Sequence, residues 1–183
     1  MNLDTIPQVS TAANPFWQFS CAVYQQPKVA KTALHFQDNW QLSINYLLFC
    51  SFCSLHNKQL SQCNSLQLWQ QLAQWHQEYT LQIRKLRQKL KGYSTDEEGS
   101  LLYQLIKRME LHFEYHEQQI LFRHFNELDQ VSQKKPADLF ITNTSNYLNS
   151  INQFPFQELL TALSAWFNEI TQYWQTISAK RQK

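Results

Sequence analysis

Glycine is nearly absent from the chain, which has only Gly92 and Gly99 among its 183 residues. An all-β protein needs many glycines in its turns, and a nucleotide-binding α/β fold needs a glycine-rich loop. Both fold classes are therefore excluded. Gln and Leu are frequent and favour helices, and 43% of the residues are hydrophobic. We predict an all-α fold with one core in a single domain.

Apolar residues at helical spacing divide this domain into about six or seven helices that form one bundle over residues 14–179. Residues 1–13 have no such pattern, and we expect a flexible tail there. Residues 180–183 end the chain with three basic residues, and we expect this basic C-terminus to fray.

Capping residues and prolines indicate where the helices begin. The predicted starts are, in chain order, Asn14-Pro15, Pro27, Asp38 or Asn39, Ser65, Thr95 and Pro155, with a further short helix within 138–152. The third helix is apolar around most of its circumference, so we expect it at the centre of the bundle. Gly92 is expected to end the fourth helix. Because only about three residues separate the fourth helix from the fifth, the two should form a long antiparallel central hairpin.

The apolar segments of the sequence indicate the cellular compartment in which the protein is found. Polar residues occupy the start of the chain, so we expect no secretory signal. The most apolar stretch, residues 46–55, has about half the length of a membrane span, so no membrane contact is expected. We predict a cytoplasmic protein whose cysteines stay reduced.

Cys50, Cys53, His56 and Cys63 have the spacing C-x2-C-x2-H-x6-C. Four such ligands could hold zinc. Alternatively, the two cysteines of the apolar third helix behave as small hydrophobic residues in the core. We prefer the packing interpretation and expect neither a metal nor another cofactor.

A second possible metal site combines His112 and His116 with Glu110, Glu114 and Glu117. Di-metal bundles use a Glu-x-x-His motif on each of two helices, and this chain contains no such motif. We therefore interpret these residues as a partly exposed helix face.

Five basic residues lie between residues 84 and 91 and could attract phosphates. The net charge of the chain is only +2, and the next helix supplies acids. In an antiparallel hairpin, Arg84 and Arg87 can face acids such as Glu97, Glu98 or Glu110. We predict ion pairs across the hairpin and no nucleic-acid partner.

Gln37, Asp38 and Asn45 form the most informative polar group. Asp38 and Asn45 are seven residues apart and would share one face of a continuous helix. Two interpretations remain open. In the first, Asp38 is a helix cap and Asn45 is a structural amide in the core. In the second, the group belongs to a ligand pocket or a partner-facing site.

The segment FWQFSCAVYQQPKVAKTALHFQDNWQLSINYLLF, residues 16–49, resembles the start of an uncharacterised family of short helical proteins from proteobacteria. The matching positions are Phe16, Trp17, Phe19, Ser20, Tyr24, Val29, Leu34, Gln37, Asp38, Asn45, Leu47, Leu48 and Phe49. Weaker matches follow at Arg84, Arg87, Lys91, Glu110, Glu114, Glu117 and Gln118. Lys28 and Ser43 depart from the pattern. The resemblance implies a helical fold and lineage, but no activity.

Two functions remain for such a domain. Six tryptophans and twelve phenylalanines exceed what one small core needs, so we predict an exposed apolar patch. We therefore prefer a non-catalytic interaction or regulatory protein with a protein partner, and a homo-oligomer is compatible with this. The alternative is a small-molecule or enzymatic pocket built on Gln37, Asp38 and Asn45. The candidate ligand or partner residues are Trp17, Gln37, Asp38, Asn45, Arg84, Arg87, Glu110 and Glu114.

Overall fold

The computed structural model describes residues 14–93, 96–130, 134–153 and 156–181, with side chains as far as residue 179. Its helical segments are α1 Pro15–Tyr24, α2 Pro27–Trp40, α3 Ile44–Leu55, α4 Gln62–Trp75, α5 Leu81–Leu90, α6 Glu97–Arg123, α7 Pro136–Ser150 and α8 Gln157–Arg181. A π turn, His76–Thr80, joins α4 and α5 into one continuous helix, so the described residues form seven helices. The all-α prediction and the predicted helix number are confirmed.

One small antiparallel pair of strands accompanies the helices. β1, Lys58–Gln59, pairs with β2, Asp129–Gln130. In the described parts of the chain, no helix combines the length and hydrophobicity of a membrane span. The predicted tail, the last two residues and the predicted helix starts Thr95 and Pro155 lie outside the described residues.

The first helix begins as predicted. The side chain of Asn14 accepts hydrogen bonds from the backbone N–H groups of Phe16 and Trp17, at 3.0 and 3.2 Å, and Pro15 occupies the first helical position. This cap fixes the orientation of α1, which buries Trp17 and Ser20 on one side.

The predicted start of the third helix is wrong. α2 continues to Trp40, so Asp38 and Asn39 lie inside it and cap nothing. The chain leaves α2 at Gln41, whose φ of 54° is left-handed, and Ser43 then caps α3. The turn at Gln41 separates Asp38 from Asn45, so the two residues do not share one helix face.

α3 occupies the centre of the bundle, as predicted. All its residues except the last are buried. Its serines keep the apolar packing intact because they bond back to their own helix: Ser51 donates to the Leu47 carbonyl at 3.0 Å, and Ser54 to the Cys50 carbonyl at 2.7 Å.

The fourth helix begins earlier than predicted. Ser61, not Ser65, is the cap, and Ser61 and Asn64 form a reciprocal capping box. Ser65 is instead buried one turn inside α4, where its hydroxyl lies 2.9 Å from that of Tyr46. The serine spacing alone did not distinguish these two roles.

The long hairpin is present between α5 and α6, which pack side by side. α5 ends at Leu90, close to the predicted end, and a 3-10 turn containing Gly92 follows without a positive φ. Asp96 caps α6 by accepting from the Gly99 N–H at 2.7 Å.

The last two helices, α7 and α8, pack against each other and against α3. α7 is longer than the short helix predicted within 138–152. α8 buries most of its predicted apolar stripe, including Leu163, Phe167 and Ile170, although Phe156 is 45% exposed. Trp166 donates its indole N–H to the Val29 carbonyl at 3.0 Å and thereby ties α8 to α2.

Asn143 connects α7 to α3 and β1 through a fully satisfied amide. Its Oδ1 accepts from the Leu60 N–H at 2.8 Å, and its Nδ2 donates to the Ser54 hydroxyl and the Lys58 carbonyl, both at 3.1 Å. The residue is completely buried, so water cannot replace these bonds.

Replacing Asn143 by Leu should lower the free energy of unfolding by about 2–4 kcal/mol, because it leaves buried donors and acceptors unpaired. Urea denaturation measures this loss. The exposed Asn149 on the same helix is the control, and Asn149→Leu should change stability by less than about 0.5 kcal/mol. Equal effects of the two substitutions would contradict this role of Asn143.

Candidate functional site

The inner face of α6 is polar. Its buried residues are Glu110, Glu117, Gln118 and Leu121, at helical spacing, with half-buried Glu114 between them. The predicted inner residues Leu102 and Met109 are 45% and 37% exposed. The interpretation of the glutamates as a partly exposed face is therefore wrong for Glu110 and Glu117. Hydrophobic periodicity missed this face because charged side chains can be buried when a neighbouring helix pairs them.

The π turn between α4 and α5 sets the direction of the polar side chains that face α6. The buried polar positions Ser65, His76, Thr80 and Arg84 include three at steps of four residues. An α-helix has 3.6 residues per turn, so repeated steps of four drift away from one face. The wider π turn takes up this excess, and His76 and Arg84 both reach the cleft described below.

Glu117 is the centre of one hydrogen-bond network. It is fully buried and accepts from Asn45 Nδ2 at 2.6 Å, and its other oxygen lies 2.8 Å from His76 Nδ1. Asn45 Oδ1 in turn accepts from Gln118 Nε2 at 2.8 Å. Burial raises the pKa of Glu117, but the hydrogen bond and charge of His76 and the hydrogen bond from Asn45 outweigh this effect, so the pKa is lowered and the carboxylate stays charged.

A second network joins α5 to α6. Arg84 donates from Nε to Glu110 at 3.1 Å and from a terminal nitrogen to Glu114 at 2.7 Å. Arg87 also bonds to Glu110 through Nε and, at 3.3 Å, through a terminal nitrogen. These contacts confirm the predicted ion pairs across the hairpin, with Glu110 as the predicted partner. Burial raises the pKa of Glu114, and the charge of Arg84 opposes this shift only in part.

Between these networks and α1–α3 lies a cleft of about 490 Å³. Its lining residues are Trp17, Ser20, Cys21, Tyr24, Leu34, Gln37, Ser43, Ile44, Asn45, Leu48, His76, Arg84, Arg87, Gln104, Lys107, Arg108, Glu110, Leu111, Glu114, Glu117 and Gln118. Most of the lining surface is apolar.

The exposure of the lining side chains shows which end of the cleft along α6 opens to solvent. Gln104, Lys107 and Leu111 are exposed and form the mouth, whereas Glu117 and Gln118 are buried and form the floor. From residue 107 to 118, α6 rises about 16 Å at 1.5 Å per residue. The cleft is therefore elongated.

Three polar atoms of the lining residues have no hydrogen-bond partner in the described structure. They are the indole Nε1 of Trp17, the hydroxyl of Ser20 and Oε1 of Gln118. These residues are only 4%, 3% and 2% exposed. A buried polar group without a partner costs about 1–3 kcal/mol, so these three atoms lower the stability of the packing beside the cleft.

The structure brings together most of the residues that the sequence indicated. Trp17, Gln37, Asn45, Arg84, Arg87, Glu110 and Glu114 all line the cleft. Asp38 does not line it; this carboxylate is exposed and accepts from Gln37 Nε2 at 3.5 Å. Sequence reasoning did not identify His76 or Lys107 as site residues. The available signal was the four-residue spacing of His76, Thr80 and Arg84. Residues at this spacing stay on one face of the helix only when the helix contains a π turn.

The residues of the zinc hypothesis are distributed over different environments. Cys50 and Cys53 are completely buried in α3, whereas Cys63 is exposed on α4. His56 Nδ1 lies 2.8 Å from the Phe52 carbonyl. Within the ranges that the structure describes, no group of three or more His, Cys, Asp or Glu residues is arranged to hold a metal ion.

Comparison with known proteins places the cleft inside a recognised family segment. A family model described as "Protein of unknown function (DUF2390)" matches residues 15–121, and every residue lining the cleft falls within this range. No curated protein and no solved structure matches the chain. Because the matched segment covers more than half of the sequence, the chain belongs to the DUF2390 family of proteins of unknown function.

Proposed function

We propose that the protein binds a small organic molecule in the cleft between α1–α3, α5 and α6. The observation that carries this proposal is the cleft itself, a space of about 490 Å³ with mostly apolar walls and with Asn45 and Arg84 fixed beside it by glutamates of α6. We propose binding and assign no reaction to the site.

The size and composition of the cleft support this proposal. Small-molecule sites are typically concave, about 300–1,000 Å³ in volume, and mostly apolar with a few placed polar groups. The cleft has a volume of about 490 Å³. Ile44, Leu48 and Leu111 contribute apolar walls, and Arg84 and Asn45 are held in place by their bonds to glutamates.

The charges at the mouth favour a ligand with a negatively charged outer end. Arg84 and Arg87 are already bonded to Glu110. Lys107 is exposed at the mouth and extends the positive charge outward. An anionic group at this end would gain Coulomb attraction without being desolvated deep in the protein.

The proposal predicts that the dye 1-anilinonaphthalene-8-sulfonate, an apolar anion, binds the folded protein at one saturable site. Leu111 lies in the mouth and is 44% exposed, so Leu111→Trp should narrow the cleft without disturbing the core. We expect this variant to weaken dye binding by roughly tenfold or more, measured by fluorescence titration.

The matched control is Leu102→Trp, which places the same side chain on α6 outside the cleft at a residue that is 45% exposed. This variant should bind the dye within about twofold of the original protein. Absence of saturable dye binding, or equal binding by the two variants, would contradict a ligand site in the cleft.

A protein partner is the second candidate. The hairpin of α5 and α6 carries several exposed apolar side chains, Leu86, Tyr93, Leu102 and Met109, which are between 37% and 75% exposed. Such a surface is typical of an interaction site. The cytoplasm, where the four free thiols would stay reduced, remains our proposal for the location of the protein.

A further inference from the structure

The outer half of the hairpin of α5 and α6 has no fully buried side chain among its described residues, 85–93 and 96–109. The buried side chains of α5 are Ile83 and Arg84, and those of α6 begin at Glu110. The outer half nevertheless contains the apolar residues Leu86, Leu90, Leu101, Leu102, Leu105, Ile106 and Met109. Helices bury such residues against a further layer of structure, so this half of the hairpin presents a surface on which another layer can pack.

The apolar residues of the hairpin form one stripe on each helix. The stripe of the π turn and α5 contains Tyr79, Ile83, Leu86 and Leu90, and that of α6 contains Leu102, Leu105 and Met109. Neighbouring members are three or four residues apart, which is the spacing by which helices pair in bundles and coiled coils. The exposed fractions of Leu86 and Leu102 are 42% and 45%. Both stripes are therefore accessible to another helix.

The two stripes lie on one side of the hairpin, and the cleft lies on the other. The ring of Tyr79 contacts that of Phe113, about one turn beyond Met109, with centroids 6.1 Å apart. No stripe residue lines the cleft. The cleft residue Leu111 is nine residues from Leu102, which is two and a half helical turns and thus the opposite side of α6. We call the surface formed by the two stripes the outer face.

The outer face has a basic side and an acidic side near the tip of the hairpin, the turn between α5 and α6. Residues 79–93 contain five basic residues and no acid, whereas residues 96–98 are all acidic and no basic residue follows them before Lys107. Lys89 is the second-last residue of α5 and Glu98 is the second residue of α6, so both lie at the tip. Opposite charges on the two helices make the outer face complementary to a copy of itself.

We propose that the outer face binds a second copy of this chain and that the two hairpins form a four-helix bundle. The two-fold axis runs parallel to the hairpins, so α5 of each copy packs antiparallel to α6 of the other. This arrangement joins the four stripes in one apolar seam and places Lys89 of one copy beside the acidic start of α6 of the other. The reverse orientation, with α5 on α5, would place basic residues against basic residues.

This dimer is independent of the proposed ligand site, because the cleft lies on the other side of the hairpin. Sedimentation equilibrium of the full chain tests the dimer. Between about 1 and 200 µM, the measured mass should rise from the chain mass of 21.9 kDa toward twice that value. A monomeric mass at every concentration overturns the dimer, and dye binding by such a monomer leaves the ligand site intact.

A matched pair of substitutions tests which surface forms the dimer. Leu102 and Leu111 lie on the same helix and are 45% and 44% exposed, so Leu102→Gln and Leu111→Gln make the same change at equal exposure. A two-fold interface contains each substitution twice, so Leu102→Gln should raise the Kd of the dimer by roughly tenfold or more. Leu111→Gln should leave this Kd within about twofold. Equal effects, or a larger effect of Leu111→Gln, overturn the outer face as the interface.

Reversing the charges tests which helices pair. Lys89→Glu places acid against acid, and Glu98→Lys places base against base, so each should raise the Kd of the dimer by roughly fivefold. The double variant restores opposite charges and should return the Kd to within about twofold of the original protein. A double variant that dimerises no better than the single variants overturns the pairing of α5 with α6 of the second copy.

Discussion

Replacing Arg84 by Met should lower the free energy of unfolding by about 3–5 kcal/mol, the usual cost of removing one partner from a buried ion pair. Arg84 is 8% exposed and bonds to both Glu110 and Glu114. Met fills much of the same space but leaves Glu114 without a cation, close to two other carboxylates. Urea denaturation at pH 7 measures the loss.

The neighbouring Lys85 provides the control because it is exposed on the same helix. Lys85→Met should change the stability by less than about 0.5 kcal/mol. A second substitution, Glu114→Gln in the Arg84→Met background, should restore part of the stability because it removes the uncompensated charge. A loss below about 1 kcal/mol for Arg84→Met would contradict a buried, cooperative network.

The second large effect concerns Glu117. Glu117→Gln should lower the free energy of unfolding at pH 7 by about 2–4 kcal/mol, because hydrogen bonds to a buried charged group are each worth about 1.5–3 kcal/mol. Asn45 and His76 both donate to the carboxylate, whereas a Gln side chain has a single acceptor oxygen and must turn its own donor toward one of them.

The pH dependence of this loss has a definite sign. The pKa of Glu117 is lowered in the folded protein, so its stabilising contribution is fully present above its ordinary value of 4.5 and is lost as the pH falls through the lowered pKa. The difference between the original protein and Glu117→Gln should therefore shrink in acid. Denaturation curves at pH 7 and at several values below pH 4.5 measure it.

Glu114→Gln is the matched control. It makes the same substitution about one helical turn earlier on α6, at a glutamate whose pKa is shifted in the opposite direction to that of Glu117. Because the pKa of Glu114 is raised in the folded protein, its ionisation lowers stability as the pH rises above 4.5. The stability deficit of Glu114→Gln should therefore become smaller with rising pH. Parallel pH profiles for the two variants would contradict the opposite environments of these carboxylates.

The sequence predicted those features of the fold that depend on local chemistry. Asn14 and Pro15 started α1 as expected, and the apolar circumference of α3 placed it at the centre. The ion pair of Arg84 with Glu110 followed from the short connection between two long helices. In each case, a short-range pattern determined the structure.

The predictions of helix starts failed where a residue that can cap a helix can also lie inside one. Asp38 and Ser65 are both good capping residues, but Ser43 and Ser61 took these roles, and Ser65 bonds to Tyr46 in the core. The buried face of α6 could not be found from hydrophobicity because Glu110 and Glu117 are buried through partners on other helices. Such partners depend on the tertiary arrangement, which no single helix specifies.

The candidate site was predicted in part. The residues of the pocket hypothesis meet in the cleft except Asp38, which the turn at Gln41 places elsewhere. His76 escaped notice because its role requires a π turn, and neither propensity nor periodicity indicates one.

The most direct test of a ligand site in this cleft is a ¹H–¹⁵N NMR titration that observes the indole N–H signals of the six tryptophans. Trp17 lines the cleft with an unpartnered N–H, whereas the N–H of Trp166 is bonded to Val29 away from it. With added 1-anilinonaphthalene-8-sulfonate, we predict that the signal removed by Trp17→Phe shifts most and that the Trp166 signal stays in place. A saturable shift of other indole signals, with that of Trp17 unchanged, would contradict the account.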